Sequence, residues 1–156
     1  MRLSIRALGA FLACPGVAAG LLPLAIARGA PQVGRSRGAG LATLAVGAGC
    51  LVGCVRDFLV SGRGTLAPWD PPRKLVTVGL YRFVRNPMYL AVLTIVLGWS
   101  LYFGSPGVAL YSVVLAVGFH LRVTLHEEPW LRRQFGPDGS RYLKTVPRWI
   151  PRLRAR

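Results

Sequence analysis

The sequence predicts an all-α fold, a polytopic membrane bundle of about four transmembrane helices, and three observations carry that prediction. Hydrophobic residues make up 53% of the 156-residue chain and charged ones 16%, a balance that suits a bilayer. Four apolar stretches, Ala7 to Ala27, Ala39 to Val60, Met88 to Phe103 and Pro106 to Leu125, are divided by segments rich in Gly, Pro and Arg. A helix rises about 1.5 Å per residue, so roughly 20 residues cross a hydrocarbon core of about 30 Å. Three of the stretches reach that length; the third needs its flanks or a thinner bilayer.

The first stretch follows Arg2 and Arg6, and "AIARGA" imitates a cleavage site. It is long for a signal core, and three more apolar stretches follow, so an uncleaved span is the simpler account. "FLAC", ending at Cys14, is a poor lipoprotein signal. Pro15 and Pro23 are expected to kink this span. On the second stretch Gly49 and Gly53 form a small-xxx-small pair, as Gly16 and Gly20 do on the first, and close helix packing is the expected use. Cys50 and Cys54 lie one helical turn apart and Cys14 stands alone; none has metal-ligand spacing, and buried cysteines usually act as small packing residues. Near the end of the second span, Arg56 and Asp57 would snorkel or pair locally.

"SGRGTLAPWDPPRKLVTVG" is too dense in Gly and Pro for a regular helix. It carries Leu66, Trp69, Leu75, Val76 and Val78, more apolar side chains than a solvated linker needs, so it reads as a structured loop lying over something. "YRFVRNPMYL" then opens the third helix, with Asn86 as N-cap and Pro87 at the first helical position. That start places backbone N–H groups beside Arg82 and Arg85, where an anion could bind. The plainer alternative is that Asn86 only caps, the arginines only anchor, and Tyr81 and Tyr89 are interfacial aromatics.

The fourth stretch ends in "FHLRVTLHEEPWLRRQFG". Arg122, His126, Glu127 and Glu128 cluster there, and two of the chain's five acids stand side by side. Neighbouring helical positions differ by about 100°, so a pocket can face only one of the two glutamates squarely. Capping, or a solvated ion pair with Arg132, is the structural alternative. The His126–glutamate spacing does not predict a metal site.

The formal net charge of +15 would suggest nucleic acid in a soluble protein, but the basic residues flank apolar segments, the pattern of membrane topology. The tail holds Arg132, Arg133, Arg141, Lys144, Arg148, Arg152, Arg154 and Arg156, whereas the turn "GSPG" between the third and fourth spans is uncharged. Both termini and the loop from Ser61 to Arg85 are therefore expected to be cytoplasmic, at the cell (inner) membrane; the outer loop with Arg28, Arg35 and Arg37 fits this orientation worst. A basic tail can also attract anionic lipid head groups.

In order and content, "LVTVGLYRFVRNPMYL", a helical hairpin, a double glutamate, "FG", a tyrosine and "VPRWIP" resemble the C-terminal signature of the isoprenylcysteine carboxyl methyltransferase and phospholipid methyltransferase group of membrane enzymes. The resemblance covers roughly Gly64 to Pro151. It divides one integral membrane domain, 1–156, into two N-terminal spans over 7–60 and a methyltransferase-like region over 64–151. It implies S-adenosylmethionine as methyl donor, a cytoplasmic cofactor pocket built by the C-terminal half, and a lipophilic acceptor. By resemblance, Leu75, Val76, Tyr81, Arg85, Asn86, Pro87, Met88, Tyr89, Glu127 and Glu128 would bind the cofactor, and Arg122 and Tyr142 would serve catalysis, with no metal. The Trp69 loop and the tail around Tyr142 and Trp149 would cover the site. Two departures stand out: Asn86, where many members have histidine, cannot act as a base, and Gly139 stands where a tyrosine is often found. An acceptor already deprotonated fits best, because His126, Glu128 and Tyr142 are the few available bases. Two other classes compete: an NADPH-dependent membrane reductase with a similar helix-start motif, and a noncatalytic four-span packing protein.

Overall fold

Pro23 shapes the start of the fold. It has no N–H, so the carbonyls of Ala18 and Ala19, five and four residues earlier, lose a helical donor. In the computed structural model, which describes residues 12–29, 36–62 and 74–152, the chain winds as a widened π-type helix over Leu12–Leu21 and tightens into α1, Leu22–Gly29. Trp99 Nε1–H donates to the Ala19 carbonyl at 2.9 Å, and the Tyr111 hydroxyl to the Ala18 carbonyl at 3.0 Å. Side chains from two later helices thus satisfy the groups that proline leaves free, as an apolar surrounding demands.

Helix α2 runs over Arg37–Asp57 and passes into a π turn, Phe58–Gly62. Helix α3, Pro87–Phe103, lies antiparallel to it: Gly40 meets Tyr102, Leu44 meets Gly98, and Gly47 meets Ile95. A Cβ on Gly40 would come within 2.6 Å of the Tyr102 backbone, one on Gly47 within 2.7 Å of Ile95, and one on Gly98 within 2.8 Å of Leu44. These three glycines set the close approach. The expected pair does not, since Gly49 and Gly53 have open space where a side chain would go, as does Gly20. A small-xxx-small spacing marks a possible face, but only the partner's position decides which face is used.

The uncharged turn follows local rules. Gly104 ends α3 in the left-handed region (φ 63°), Ser105 accepts a hydrogen bond from Val108 N at 3.4 Å, and Pro106 opens α4, Pro106–Arg122. Instead of stopping near Leu125, the helical path continues through a π turn, Val123–Glu127, into α5, Glu128–Thr145, which bends at Gly136 (φ 53°, ψ −124°). Only glycine adopts that backbone without strain. Two helical stretches, Arg37–Ser61 and Pro106–Thr145, are long and apolar enough to cross a membrane, with Gly16–Gly29 and Pro87–Phe103 as shorter apolar helices.

The described residues are helical with no strand. One apolar cluster, with Ala19, Leu51, Ala91, Val96 and Val108, joins α1 to α4. A second, Cys54, Val76 and Tyr81 with Phe58 and Met88 against it, lies where α2 ends and α3 begins. Cys54 is fully buried there, the packing role expected of it. Along α4, Leu110, Val113, Val114, Val117 and Leu121 stand exposed, an apolar stripe that lipid accommodates and water does not.

Candidate functional site

The site is assembled from three pieces of chain that the helices bring to one end: the segment 74–86 with the first turn of α3, the junction of the π turn with α5 that carries the two glutamates, and the tail after α5. The 74–86 segment is pinned from below. Tyr81 sits in a short 3₁₀ turn, Gly79–Arg82, with its ring 6.3 Å from that of Phe58. Gly79 adopts a left-handed conformation (φ 55°), and the Asp57 carboxylate lies where its side chain would be. The tail adds backbone pairing from the other side, Arg85 N to the Pro147 carbonyl at 2.9 Å and Arg152 N to the Phe83 carbonyl at 3.1 Å.

The two glutamates, a helical step apart, face different partners. Glu128 accepts from Arg85 Nη1 at 2.7 Å and from Arg148 through both oxygens, Nε at 2.5 Å and Nη2 at 3.0 Å. The Arg85 and Glu128 side chains are only 13% and 10% exposed, so this is a desolvated, forked ion triad of the strong kind. Burial opposes the charge of Glu128, yet the hydrogen bond from Arg148 and the charge of Arg85 outweigh it and hold the carboxyl below the usual carboxylate range. At Arg85 the balance runs the other way: burial lowers its pKa, and Glu128 beside it only partly offsets that. The hydrogen bond to Glu128 raises the pKa of Arg148.

Glu127 meets Tyr89 and Arg122 instead. Its Oε1 accepts from the Tyr89 hydroxyl and from Arg122 Nε at 2.9 Å, and Arg122 Nε is also 3.1 Å from the Tyr89 oxygen. Tyr89 stacks on Phe119 with ring centroids 4.3 Å apart. Arg122 and Glu127 are 47% and 32% exposed, so their attraction is screened and the cluster is open to a ligand. The ion pair with Arg132, one of the structural alternatives, is not formed: Arg122 takes Glu127, and Arg85 with Arg148 take Glu128.

Sequence reasoning put Asn86, Pro87, Met88 and Tyr89 at a helix start, and the structure has them there, with Pro87 in the first turn. Asn86 occupies the cap position, but its side chain does not cap. Its Nδ2 donates instead to the Arg148 carbonyl at 3.1 Å, tying the tail to the helix start. Tyr142 is buried, with its hydroxyl donating to the Tyr81 carbonyl at 2.9 Å. Burial pushes its pKa up, and that of Tyr81 likewise, so both phenols stay protonated near neutrality. Val76 lies in the buried cluster beneath the site, whereas Leu75 faces an open cleft. His126 is exposed, and no group of three potential metal ligands occurs among the described residues. The Trp69 loop lies outside the described residues. Trp149 is among them, and its Nε1–H donates to His120 Nδ1 at 3.2 Å.

Arg148 was missed as a site residue. It was read as one cation of a basic tail and as part of "VPRWIP", and nothing in its local sequence singles it out. Gly139 also gains a reason: an added Cβ would collide with the Leu131 carbonyl across the bend in α5, so no tyrosine fits there.

A family model for phospholipid methyltransferase matches residues 37–138, more than half of the chain. The chain is 38% identical over 78 residues to the protein-S-isoprenylcysteine O-methyltransferase of Schizosaccharomyces pombe, covering 49% of this chain and 33% of that protein. It is 32% identical over 63 residues to an uncharacterized protein of Haemophilus influenzae, covering 40% of this chain and 100% of that one. No solved structure matches. The chain therefore belongs to the phospholipid methyltransferase family, and it spans about a third of the length of the yeast relative.

Proposed function

We propose that this protein transfers a methyl group from S-adenosylmethionine to a lipophilic acceptor at the cytoplasmic face of a membrane it crosses with four helices. The observation that carries the reading is the convergence of the α3 start, Arg85 to Tyr89, with Glu127 and Glu128 inside the family-matched region. The residues present fit the donor. Arg85 Nε is a buried donor with no partner among the described residues, suited to a carboxylate. Glu127 uses only Oε1 in its protein contacts, leaving Oε2 for an amino group or ribose hydroxyls. Val76, Tyr81 and Met88 supply the apolar floor that a purine requires.

When bound, the donor supplies a cationic sulfonium whose methyl group is open to displacement, so the protein has to position two partners and keep water away. Tyr89 and Glu127 hold Arg122 at the rim, and its free guanidinium edge orients an anionic acceptor group. Glu128, saturated by two arginines, is a structural anchor and not a base. Tyr142, protonated and bonded to a backbone carbonyl, fixes the 81–86 segment. An acceptor that arrives deprotonated, such as a carboxylate, needs no general base.

Calorimetry of S-adenosylmethionine binding to the detergent-purified protein, with NADPH as the comparison ligand, tests the proposal. Saturable donor binding that weakens about tenfold in Glu127→Gln is expected, equivalent to about 1.4 kcal/mol. NADPH binding in its place would favour a reductase, and no binding of either by folded protein would favour a noncatalytic role.

A further inference from the structure

Two arginines share one carboxylate at the start of α5, and they share it unequally. Arg148 closes a full fork on Glu128, with Nε 2.5 Å from Oε1 and Nη2 3.0 Å from Oε2. Arg85 reaches the same Oε1 end-on, through Nη1 alone at 2.7 Å. Its Nε is buried and has no hydrogen-bond partner among the described residues. A guanidinium favours the side-on, two-bonded approach to a carboxylate, and a buried donor left unpaired is costly. Arg85 therefore has reason to take both Glu128 oxygens, and Arg148 stands in the way by holding Oε2. The same turn of the tail grips the helix start at two further points: the Pro147 carbonyl accepts from Arg85 N at 2.9 Å, and the Arg148 carbonyl from Asn86 Nδ2 at 3.1 Å. Two cations on one anion also leave the cluster with positive charge in excess, which favours an incoming anion.

We propose that Arg148 is a positioning residue for the methyl donor: its fork on Glu128 keeps Arg85 end-on, so that Arg85 Nε stays available to the donor's carboxylate. The inference rests on the methyl-transfer reading above and deepens it, by naming what makes the site read the amino-acid end of the donor. Arg148 acts through Glu128 and Arg85, without touching the donor itself. Once the fork is lost, Glu128 Oε2 is released, Arg85 turns onto both oxygens, and its free donor disappears. Lysine in place of Arg148 keeps the charge, but its single ammonium cannot span both oxygens in the plane of the carboxylate. Recognition of the donor's carboxylate then weakens, while recognition of its adenosine does not.

Calorimetry on the full-length detergent-purified protein tests this with two ligands, S-adenosylhomocysteine and its decarboxylated analogue, which keeps the adenosine, the thioether and the amino group. Wild type should bind the carboxylate-bearing ligand about tenfold tighter or more, as a charged hydrogen bond implies. Arg148→Lys should lose most of that preference by weakening S-adenosylhomocysteine alone, the affinity for the analogue staying as it was. Arg85→Gln should lose the preference too, and adding Arg148→Lys to it should change nothing further, because one residue acts through the other. Arg148→Gln, which removes the charge as well, should lose the preference at least as fully and supplies the same comparison if the lysine variant folds poorly; melting curves identify the folded samples. Equal weakening of both ligands would make the role of Arg148 purely structural and overturn the proposal. A wild-type preference retained in Arg148→Lys would overturn it too, since charge alone would then suffice. Wild-type protein that binds both ligands equally well would leave the methyl-transfer reading standing and sink this one, whereas folded wild type that binds neither would sink both.

Discussion

At the scale of single residues, the two adjacent glutamates show how one helical step separates two roles. Glu128 is buried between Arg85 and Arg148, and removing its charge leaves two guanidinium groups facing each other without compensation. Glu128→Gln is therefore expected to destabilise the protein by about 3 kcal/mol, read as a lowered melting temperature in detergent. Glu127→Gln breaks only a screened contact and should cost under about 1 kcal/mol, with its larger effect on ligand binding. Gly139 gives a second residue-scale expectation. Even the small side chain of Gly139→Ala must push against the Leu131 carbonyl, so a loss of about 1–3 kcal/mol is expected, whereas Gly53→Ala, with open space around it, should be nearly neutral. The glutamates and the helix start were legible in the sequence because rare acids and an Asn-Pro pair are conspicuous in an apolar chain. Arg148 was not, because one arginine among many in a basic tail carries no local sign of its partner. The spacing that singled out Gly49 and Gly53 in place of Gly40, Gly47 and Gly98 failed for the same reason: a close approach belongs to two helices at once.

At the scale of elements, the helix ends obey their sequences and the helix interiors obey their neighbours. Gly104, Ser105 and Pro106 build the α3–α4 turn from local rules alone, and the Pro87 start of α3 is equally local. The π-type winding of Leu12–Leu21 depends on more than Pro23, since the freed carbonyls of Ala18 and Ala19 are met by Tyr111 and Trp99 from two other helices. Trp99→Phe keeps the aromatic packing on Phe103 but strips the donor from Ala19. In surroundings without water it should cost about 1–3 kcal/mol, with hydrogen exchange in the first helix rising selectively. An unchanged exchange pattern would show that another donor replaces the indole. The tail is the element least foreseen. It was expected as a cover over the site, and it is held to the α3 start by Asn86 and Arg85, to the start of α5 by Glu128 and to α4 by His120.

At the scale of the molecule, the ion triad joins the segment before α3, the start of α5 and the tail, so its protonation state bears on the whole cytoplasmic end of the proposed topology. Glu128 has a native pKa below its ordinary 4.5. A depressed carboxylate pKa contributes stability that is complete above the unfolded value and is lost as pH falls through the native one. Melting temperatures should therefore hold near neutrality and drop below about pH 4.5, with a smaller drop in Glu128→Gln; identical acid profiles for the two proteins would remove the triad from this account. The sequence by itself determined the class of fold, the places where helices begin, and the family resemblance, because hydropathy, proline and capping residues act over a few neighbouring positions. Tertiary structure alone decided that Asn86 binds the tail instead of capping, that Glu128 is an anchor while Glu127 remains open, and that Arg148 shares Glu128 with Arg85. Each of these depends on groups tens of residues apart in the chain coming within a few ångströms, and a hydrogen bond or an ion pair has no energy until they do.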